Sequence, residues 1–134
     1  MAITPHNIPT LPAPAQGSHA TAAHGNRIVH ISGQVGQDES GEIVAGGLAA
    51  QTERALLNVA LALEAAGASL DDLAKLTSYV VDWDPSMFDE LARGISAAGA
   101  QQPYPDMALT LVGVTSLFTP EMLIEIEAVA VADA

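Results

Sequence analysis

The segment from Met122 to Val131, Met-Leu-Ile-Glu-Ile-Glu-Ala-Val-Ala-Val, decides the fold. Successive side chains of a β-strand point to opposite faces of the sheet. One face of this strand carries only apolar side chains. The other face carries, in order, Leu123, Glu125, Glu127, Val129 and Val131. A strand with one solvated face should be polar along that face, whereas three of these five positions are apolar. The pattern predicts a sheet with one face on the core and a second face on another subunit.

The composition limits the possible partners. Sixteen acidic and four basic residues give a formal net charge of −12, and such a surface repels phosphate backbones, so no nucleic-acid partner is expected. The absence of cysteine excludes a disulfide framework and a thiol nucleophile. The N-terminus does not resemble a signal peptide, and no apolar stretch reaches the roughly 18 residues of a membrane span. We therefore expect a cytoplasmic protein with no membrane contact.

The length of 134 residues predicts a single domain. Four of the eight prolines lie in residues 1–18, and proline disfavours both a long helix and a central strand. We interpret residues 1–18 as an extended arm and residues 19–134 as the domain.

The hydrophobic periodicity predicts seven elements in the order β-β-α-β-α-β-β, which is an α+β fold with one sheet covered by two helices. Gly67 marks the end of the first helix, and Asp84 followed by Pro85 marks the start of the second. The strands are expected at 27–34, 43–44, 76–81, 107–114 and 122–131, and the helices at 48–66 and 84–98.

Three parts of the chain together resemble the Rid family, also called RidA or YjgF, over most of its length, from Gly17 to Val131. They are the segments Ile-Ser-Gly-Gln-Val at 31–35 and Leu-Ile-Glu-Ile-Glu-Ala at 123–128, and a helix with Gln-Thr at 51–52, Leu-Asn-Val at 57–59 and Leu-Glu-Ala-Ala-Gly at 63–67. The resemblance implies a chorismate-mutase-like subunit and a homotrimer. It also implies three clefts between the subunits that act on a small-molecule metabolite without a cofactor.

The resemblance also implies a reaction. Archetypal members hydrolyse reactive enamines and imines, such as 2-aminoacrylate, and release ammonia. Their cleft uses an Arg that holds the substrate carboxylate, a Glu that orients water, backbone groups of the Ser-Gly segment and a Tyr near the N-terminus. The Glu falls on Glu125, and the Ser-Gly pair falls on Ser32 and Gly33.

Several positions depart from that pattern. The Arg position falls on Leu109 if the strands are aligned and on Asp106 if the prolines are aligned, and neither side chain can hold a carboxylate. The chain has no Lys or Arg after position 93. An Asn of the second helix falls on Asp89, and the Tyr position falls within residues 17–19, which makes His19 a candidate. Thr110 is a polar neighbour of Leu109, and we include it among the candidate substrate-binding residues.

Each candidate also has a structural interpretation. Glu125 could be a solvated or paired surface acid, and the Ser32–Gly33 pair could be an ordinary bulge. Asp89 suits the first turn of a helix, where an acid complements the helix dipole. His19, His24 and His30 have no ligand spacing that predicts a metal site.

Two functions remain open. The first is a divergent hydrolase or deaminase for an enamine, an imine or a related metabolite, in which Glu125 positions water. The second is a non-catalytic trimer that binds a small ligand or a partner protein. The sequence leaves open the substrate, the pathway and whether Arg27, Arg54, Lys75 or Arg93 of a neighbouring subunit replaces the missing Arg.

Overall fold

The computed structural model describes residues 3–134. Six strands and two α-helices follow one another along the described residues: β1 (Ile3–His6), β2 (Ala20–Ala23), β3 (Arg27–Val35), α1 (Gly47–Ala65), β4 (Leu73–Val81), α2 (Phe88–Gly99), β5 (Ala108–Val114) and β6 (Ile124–Ala132). Short 3₁₀ helices at Leu70–Asp72 and Pro85–Met87 precede β4 and α2. The predicted mixed α+β architecture, with two helices on a β-sheet, is confirmed. None of the helices in these residues is long and apolar enough to cross a lipid bilayer.

The main sheet has four strands in the order β3-β6-β4-β5. Strand β6 runs antiparallel to both β3 and β4, whereas β4 and β5 are parallel. Parallel neighbours need a crossover connection, and α2 lies within the chain segment that joins them. Strands β1 and β2 form a separate two-stranded antiparallel sheet.

The core lies between the sheet and α1. The buried apolar residues of α1 recur at three- and four-residue spacing, as expected for one face of a helix: Leu48, Ala55, Leu56, Val59 and Leu63. The buried side chains of β6 occupy every second position from Ile124 to Ala132. The helices also pack closely on each other, because a Cβ on Gly94 of α2 would lie 2.6 Å from Cβ of Thr52.

The second face of the sheet remains open. The intervening side chains of β6 are partly or fully exposed, and on the neighbouring strand β3 the side chain of Ile28 is 65% exposed. Strand β6 therefore has one face on the core and a second face whose apolar side chains no core residue covers.

The expected strand at residues 43–44 is wrong. Ile43 makes an isolated bridge to Gln37, across a tight turn in which the Asp38 carboxylate accepts hydrogen bonds from the backbone N–H groups of Ser40 and Glu42. Left-handed backbone conformations at Gly46 (φ 116°) and at the following residue then lead the chain directly into α1.

The N-terminal arm contains a short strand that was not predicted. Pro5 of β1 pairs with Thr21 of β2, which proline tolerates because the two-stranded sheet has only edge strands. The chain then joins the main sheet beside β5, where Ser18 bridges to Ala108. The first two residues of the predicted arm lie outside the described residues, and the division into an arm and a domain stays a prediction.

Candidate functional site

A bulge in β3 forms one wall of the candidate site. Ile31 pairs with Ala128 and Gln34 pairs with Ile126, so Ser32 and Gly33 together face a single residue of β6. Such a bulge leaves backbone groups without ladder partners. The Gln34 side-chain amide donates a hydrogen bond to the Ser32 carbonyl at 3.0 Å. This contact within β3 stabilises the bulge.

The carboxylate of Glu125 lies over this bulge. A Cβ built on Gly33 would lie 2.6 Å from Cδ and 2.8 Å from Cγ of Glu125. Glycine therefore leaves free the space that the Glu125 carboxylate occupies, and a side chain here would have to displace that carboxylate. Glu125 is partly exposed, so its carboxylate remains accessible from the open face of the sheet.

Tyr79 is a neighbour of Glu125 that the sequence analysis missed. It pairs in register with Glu125 across β4 and β6, and its hydroxyl donates to Glu127. That hydrogen bond, then partial desolvation and the charges of Glu127 and Glu125, raise the pKa of the Tyr79 phenol. Residues 77, 79 and 81 are expected on one face of β4, because successive side chains of a strand point to opposite faces. Only the strand register shows that Tyr79 lies beside Glu125.

Two side chains of α1 hold the strand ends that carry this site. The buried Gln51 side chain donates to the Glu121 carbonyl at 3.0 Å and accepts from the Leu123 N–H at 2.9 Å, immediately before β6. The Asn58 side chain donates to the carbonyls of Val35 and Gln37, at the end of β3, each at 3.0 Å. These contacts give Gln51 and Asn58 of α1 a structural role at the strand ends.

The other candidate residues lie apart from Glu125. Leu109 pairs with the buried Leu76 and lines a cleft on the helix-covered side of the sheet. Thr110 is the next residue of β5, and its hydroxyl accepts from the Lys75 ammonium at 2.6 Å. Glu125 and Leu109 therefore belong to opposite faces of the sheet within one subunit.

His19 and Asp89 are held by local structure. The Nδ1 atom of His19 accepts from the Ile8 N–H at 2.9 Å, and the backbone N–H of His19 donates to the Asn7 side chain at 3.0 Å. Asp89 is an exposed acid in the first turn of α2. The structure thus brings Ser32, Gly33 and Glu125 together but leaves the remaining candidates elsewhere.

The four basic residues have different environments. Arg27 donates to the carbonyls of Ala66 and Gly67 and so caps the C-terminal end of α1, and Arg54 donates to Asn58. Arg93 is exposed on α2. Lys75 lies on the open face of the sheet, four residues along β4 from Tyr79. Within residues 3–134, no group of three or more His, Cys, Asp or Glu side chains is arranged to hold a metal ion.

Comparison with known proteins identifies the family. The family model described as Endoribonuclease L-PSP matches residues 10–132, and a crystal structure from Yersinia pestis, described as a conserved Rid family protein of unknown function, is 35% identical with a TM-score of 0.84. That similarity covers 98% of this chain and 99% of the other. The chain belongs to the Rid family.

Other Rid relatives are less similar or match over shorter segments. The YjgF gene product of Escherichia coli is 28% identical, with a TM-score of 0.68 over 96% of this chain and 98% of that one. A RutC family protein of Pyrococcus horikoshii is 36% identical over 85% of this chain and 86% of its own length. The human 2-iminobutanoate/2-iminopropanoate deaminase is 39% identical over 77 residues, which are 56% of each chain. This Rid protein thus spans about half the length of the first curated relatives that it matches.

Proposed function

We propose that this Rid protein is a divergent hydrolase that deaminates an enamine, an imine or a related small metabolite, with Glu125 as the group that orients water. The observation that carries the proposal is the position of the Glu125 carboxylate, which lies against Gly33 in the β3 bulge and is open to one face of the sheet. The mammalian relatives named as imine deaminases support the same class of reaction.

The proposed reaction adds water to a C=N bond. The water oxygen attacks the carbon while the Glu125 carboxylate accepts a proton from that water. The same carboxylate then returns the proton to the nitrogen. The carbinolamine hydroxyl then loses its proton as the C–N bond breaks, and the departing nitrogen takes up a proton, which gives a carbonyl compound and ammonia. An enamine first becomes its imine by gaining a proton at carbon and losing one from nitrogen.

Leu109 bears on the substrate class. In archetypal members an Arg holds the substrate carboxylate, and the resemblance places that Arg at Leu109 or at Asp106, neither of which can hold a carboxylate. We therefore propose a substrate that lacks the usual α-carboxylate or that binds it through backbone and polar groups. An RNA substrate fits poorly, because a net charge of −12 repels phosphate.

We further propose that the site is completed in a homotrimer. Glu125 and Leu109 occupy opposite faces of one sheet, so a cleft that contains both residues needs two subunits. The exposed apolar side chains of Ile28 and Val112 support contact between subunits on the open face. Sedimentation equilibrium tests this directly: a mass of three chains is expected, and a stable monomer would contradict it.

The decisive experiment measures ammonia release from freshly generated imines and enamines, with and without an α-carboxylate. Glu125→Gln should lower kcat by roughly 10²- to 10⁴-fold, the usual contribution of a positioned acid or base. Glu127→Gln is the matched control, because it makes the same change two residues along the same strand, and it should retain most activity. Ammonia release by none of the proteins would favour the alternative of a non-catalytic binding trimer.

A further inference from the structure

Of the four Lys and Arg residues, Lys75 alone lies on the face of the sheet that carries Glu125. Its neighbour Leu76 is buried in the core, and successive side chains of a strand point to opposite faces. Arg27 caps α1, whereas the other two arginines belong to the helices. Among residues 3–134, the ammonium of Lys75 is therefore the one Lys or Arg charge of the open face.

The Lys75 ammonium has unused hydrogen-bond donors. Among residues 3–134 it donates one hydrogen bond, to the neutral hydroxyl of Thr110 at 2.6 Å, and an ammonium has three donors. The Glu127 carboxylate lies opposite Thr77 on the same face, but it accepts from Tyr79. Lys75 is partly buried, and a charge that loses water without gaining a counter-charge is unfavourable. The ammonium is therefore available to bind an anion.

The contact with Thr110 places this ammonium at one edge of the sheet. The order β3-β6-β4-β5 makes β5 an edge strand, and the Lys75 side chain crosses from β4 to reach it. The start of β5 is covered, because Ser18 bridges to Ala108. Beyond that bridge, no described strand pairs with the free side of β5. Another molecule can therefore approach the ammonium from this edge.

Within one subunit, Lys75 and Glu125 are too far apart to bind the same small metabolite. Tyr79, which lies opposite Glu125, is four residues from Lys75 along β4, or about 13 Å in a strand. The side chains also diverge, because Lys75 extends toward β5 and Glu125 toward Gly33 of β3 at the opposite edge. A site that uses both groups therefore joins the β5 edge of one subunit to the β3 edge of its neighbour.

Both groups lie close to the backbone of an edge strand. The ammonium is held at a hydroxyl of β5, and the Glu125 carboxylate lies against Gly33 of β3. A substrate between them spans the gap between two strands, with its anionic end at Lys75 and its C=N bond at Glu125. An α-carboxylate is attached directly to the carbon of the C=N bond, so it lies too near Glu125 for that separation.

We propose that Lys75 of the neighbouring subunit binds the anionic end of the substrate, and that the substrate is an imine or enamine whose carboxylate lies further from the C=N carbon than an α-carboxylate does. This inference rests on the proposed hydrolase and on its site between subunits, and it names the substrate class. Lys75 also supplies the local positive charge that an anionic substrate needs to approach a protein of net charge −12.

Calorimetric titration of the full-length protein tests the inference without turnover. The probes are carbonyl compounds that resemble products of the proposed hydrolysis: 4-oxopentanoate, its neutral amide 4-oxopentanamide, and the isomer 2-oxopentanoate, which has an α-carboxylate. We expect 4-oxopentanoate to bind most tightly of the three, by about tenfold or more over the amide. Its affinity should fall as salt is added, because the contact is between charges.

Variants assign the affinity to Lys75. Lys75→Met keeps most of the side-chain length and should weaken 4-oxopentanoate binding by about tenfold or more, with amide binding unchanged, whereas Lys75→Arg keeps the charge and should retain most of the affinity. Arg93→Met is the matched control, because it removes the same charge from an exposed position on α2, and it should bind as wild type. Thr110→Val removes the hydroxyl beside the ammonium and should weaken 4-oxopentanoate binding about threefold or more.

Two results would overturn the inference: equal affinities for 4-oxopentanoate and its amide, and equal affinities of Lys75→Met and Arg93→Met for 4-oxopentanoate. If Lys75→Met dissociates the subunits, Thr110→Val decides, because it keeps the net charge. Wild-type binding by Thr110→Val would then show that Lys75 serves an ion pair between subunits.

Kinetics separate this inference from the hydrolase. With the imine of 4-oxopentanoate as substrate, Lys75→Met should raise KM more than it lowers kcat, whereas Glu125→Gln should lower kcat. Binding that depends on Lys75 without ammonia release would refute the hydrolase alone. Ammonia release with a KM that Lys75→Met leaves unchanged would refute the role of Lys75 alone.

Discussion

The Glu125 carboxylate occupies the space that a side chain on Gly33 would need, with Cδ 2.6 Å from the position of that Cβ. This contact joins two segments that are far apart in sequence, the bulge of β3 and the start of β6. It fixes the carboxylate against the sheet and leaves it open on one side.

Gly33→Ala should displace the Glu125 carboxylate while leaving the fold intact, because the clash is with the flexible end of a side chain. Ammonia release should fall by about 10²-fold, as small misplacements of reacting groups can cause, with a change in unfolding free energy below about 1 kcal/mol. The control is Gly99→Ala, since a Cβ there meets nothing within 4 Å. Full activity in Gly33→Ala would show that the position of Glu125 is unimportant.

Gln51→Met should destabilise the protein and loosen the start of β6. The substitution keeps a similar volume but leaves the Glu121 carbonyl and the Leu123 N–H without their partner. The expected loss of unfolding free energy is about 2 kcal/mol, measured by urea denaturation. Gln102→Met, at an exposed position after α2, should change stability little. Similar midpoints for the two variants would contradict the anchoring role.

Tyr104 should make stability fall at high pH. Its hydroxyl donates to the Leu56 carbonyl at 2.6 Å, and burial raises the pKa of the phenol from 10.0 to about 12. Between these values the folded protein binds more protons than the unfolded chain, so the free energy of unfolding decreases as pH rises. Thermal unfolding from pH 9 to pH 12 should show a steeper decline in wild type than in Tyr104→Phe. Parallel curves would refute this linkage.

Tyr79 should ionise above its ordinary range for a different reason. The Glu127 carboxylate, which accepts the hydrogen bond of the Tyr79 hydroxyl, and the nearby charge of Glu125 favour the protonated phenol and raise its pKa. Since the chain has two tyrosines, absorbance at the phenolate band in Tyr104→Phe reports Tyr79 alone. Adding Glu127→Gln should move that transition toward lower pH. A transition at the ordinary tyrosine value in both proteins would show that the hydrogen bond has no influence.

Much of the fold was predictable because it depends on local patterns. The apolar periodicity of α1, the Asp84-Pro85 start signal and the two faces of β6 require no knowledge of distant residues. The strand expected at 43–44 is reduced to one bridge because the left-handed residues Gly46 and Gly47 turn the chain into α1. Strands β1 and β2 were missed because their mutual pairing outweighs the low strand preference of Pro5.

The sequence by itself determined most of the element types, the family and the candidate role of Glu125, since these depend on periodicity and on short motifs. Only the tertiary structure decided which groups meet. The register of β3, β6 and β4 places Gly33 and Tyr79 beside Glu125, and the pleat puts Leu109 on the other side of the sheet. The size of the cleft beside Leu109, between α2 and the sheet, is likewise decided there, because an unfilled space depends on how far apart packed elements lie, which no single segment encodes.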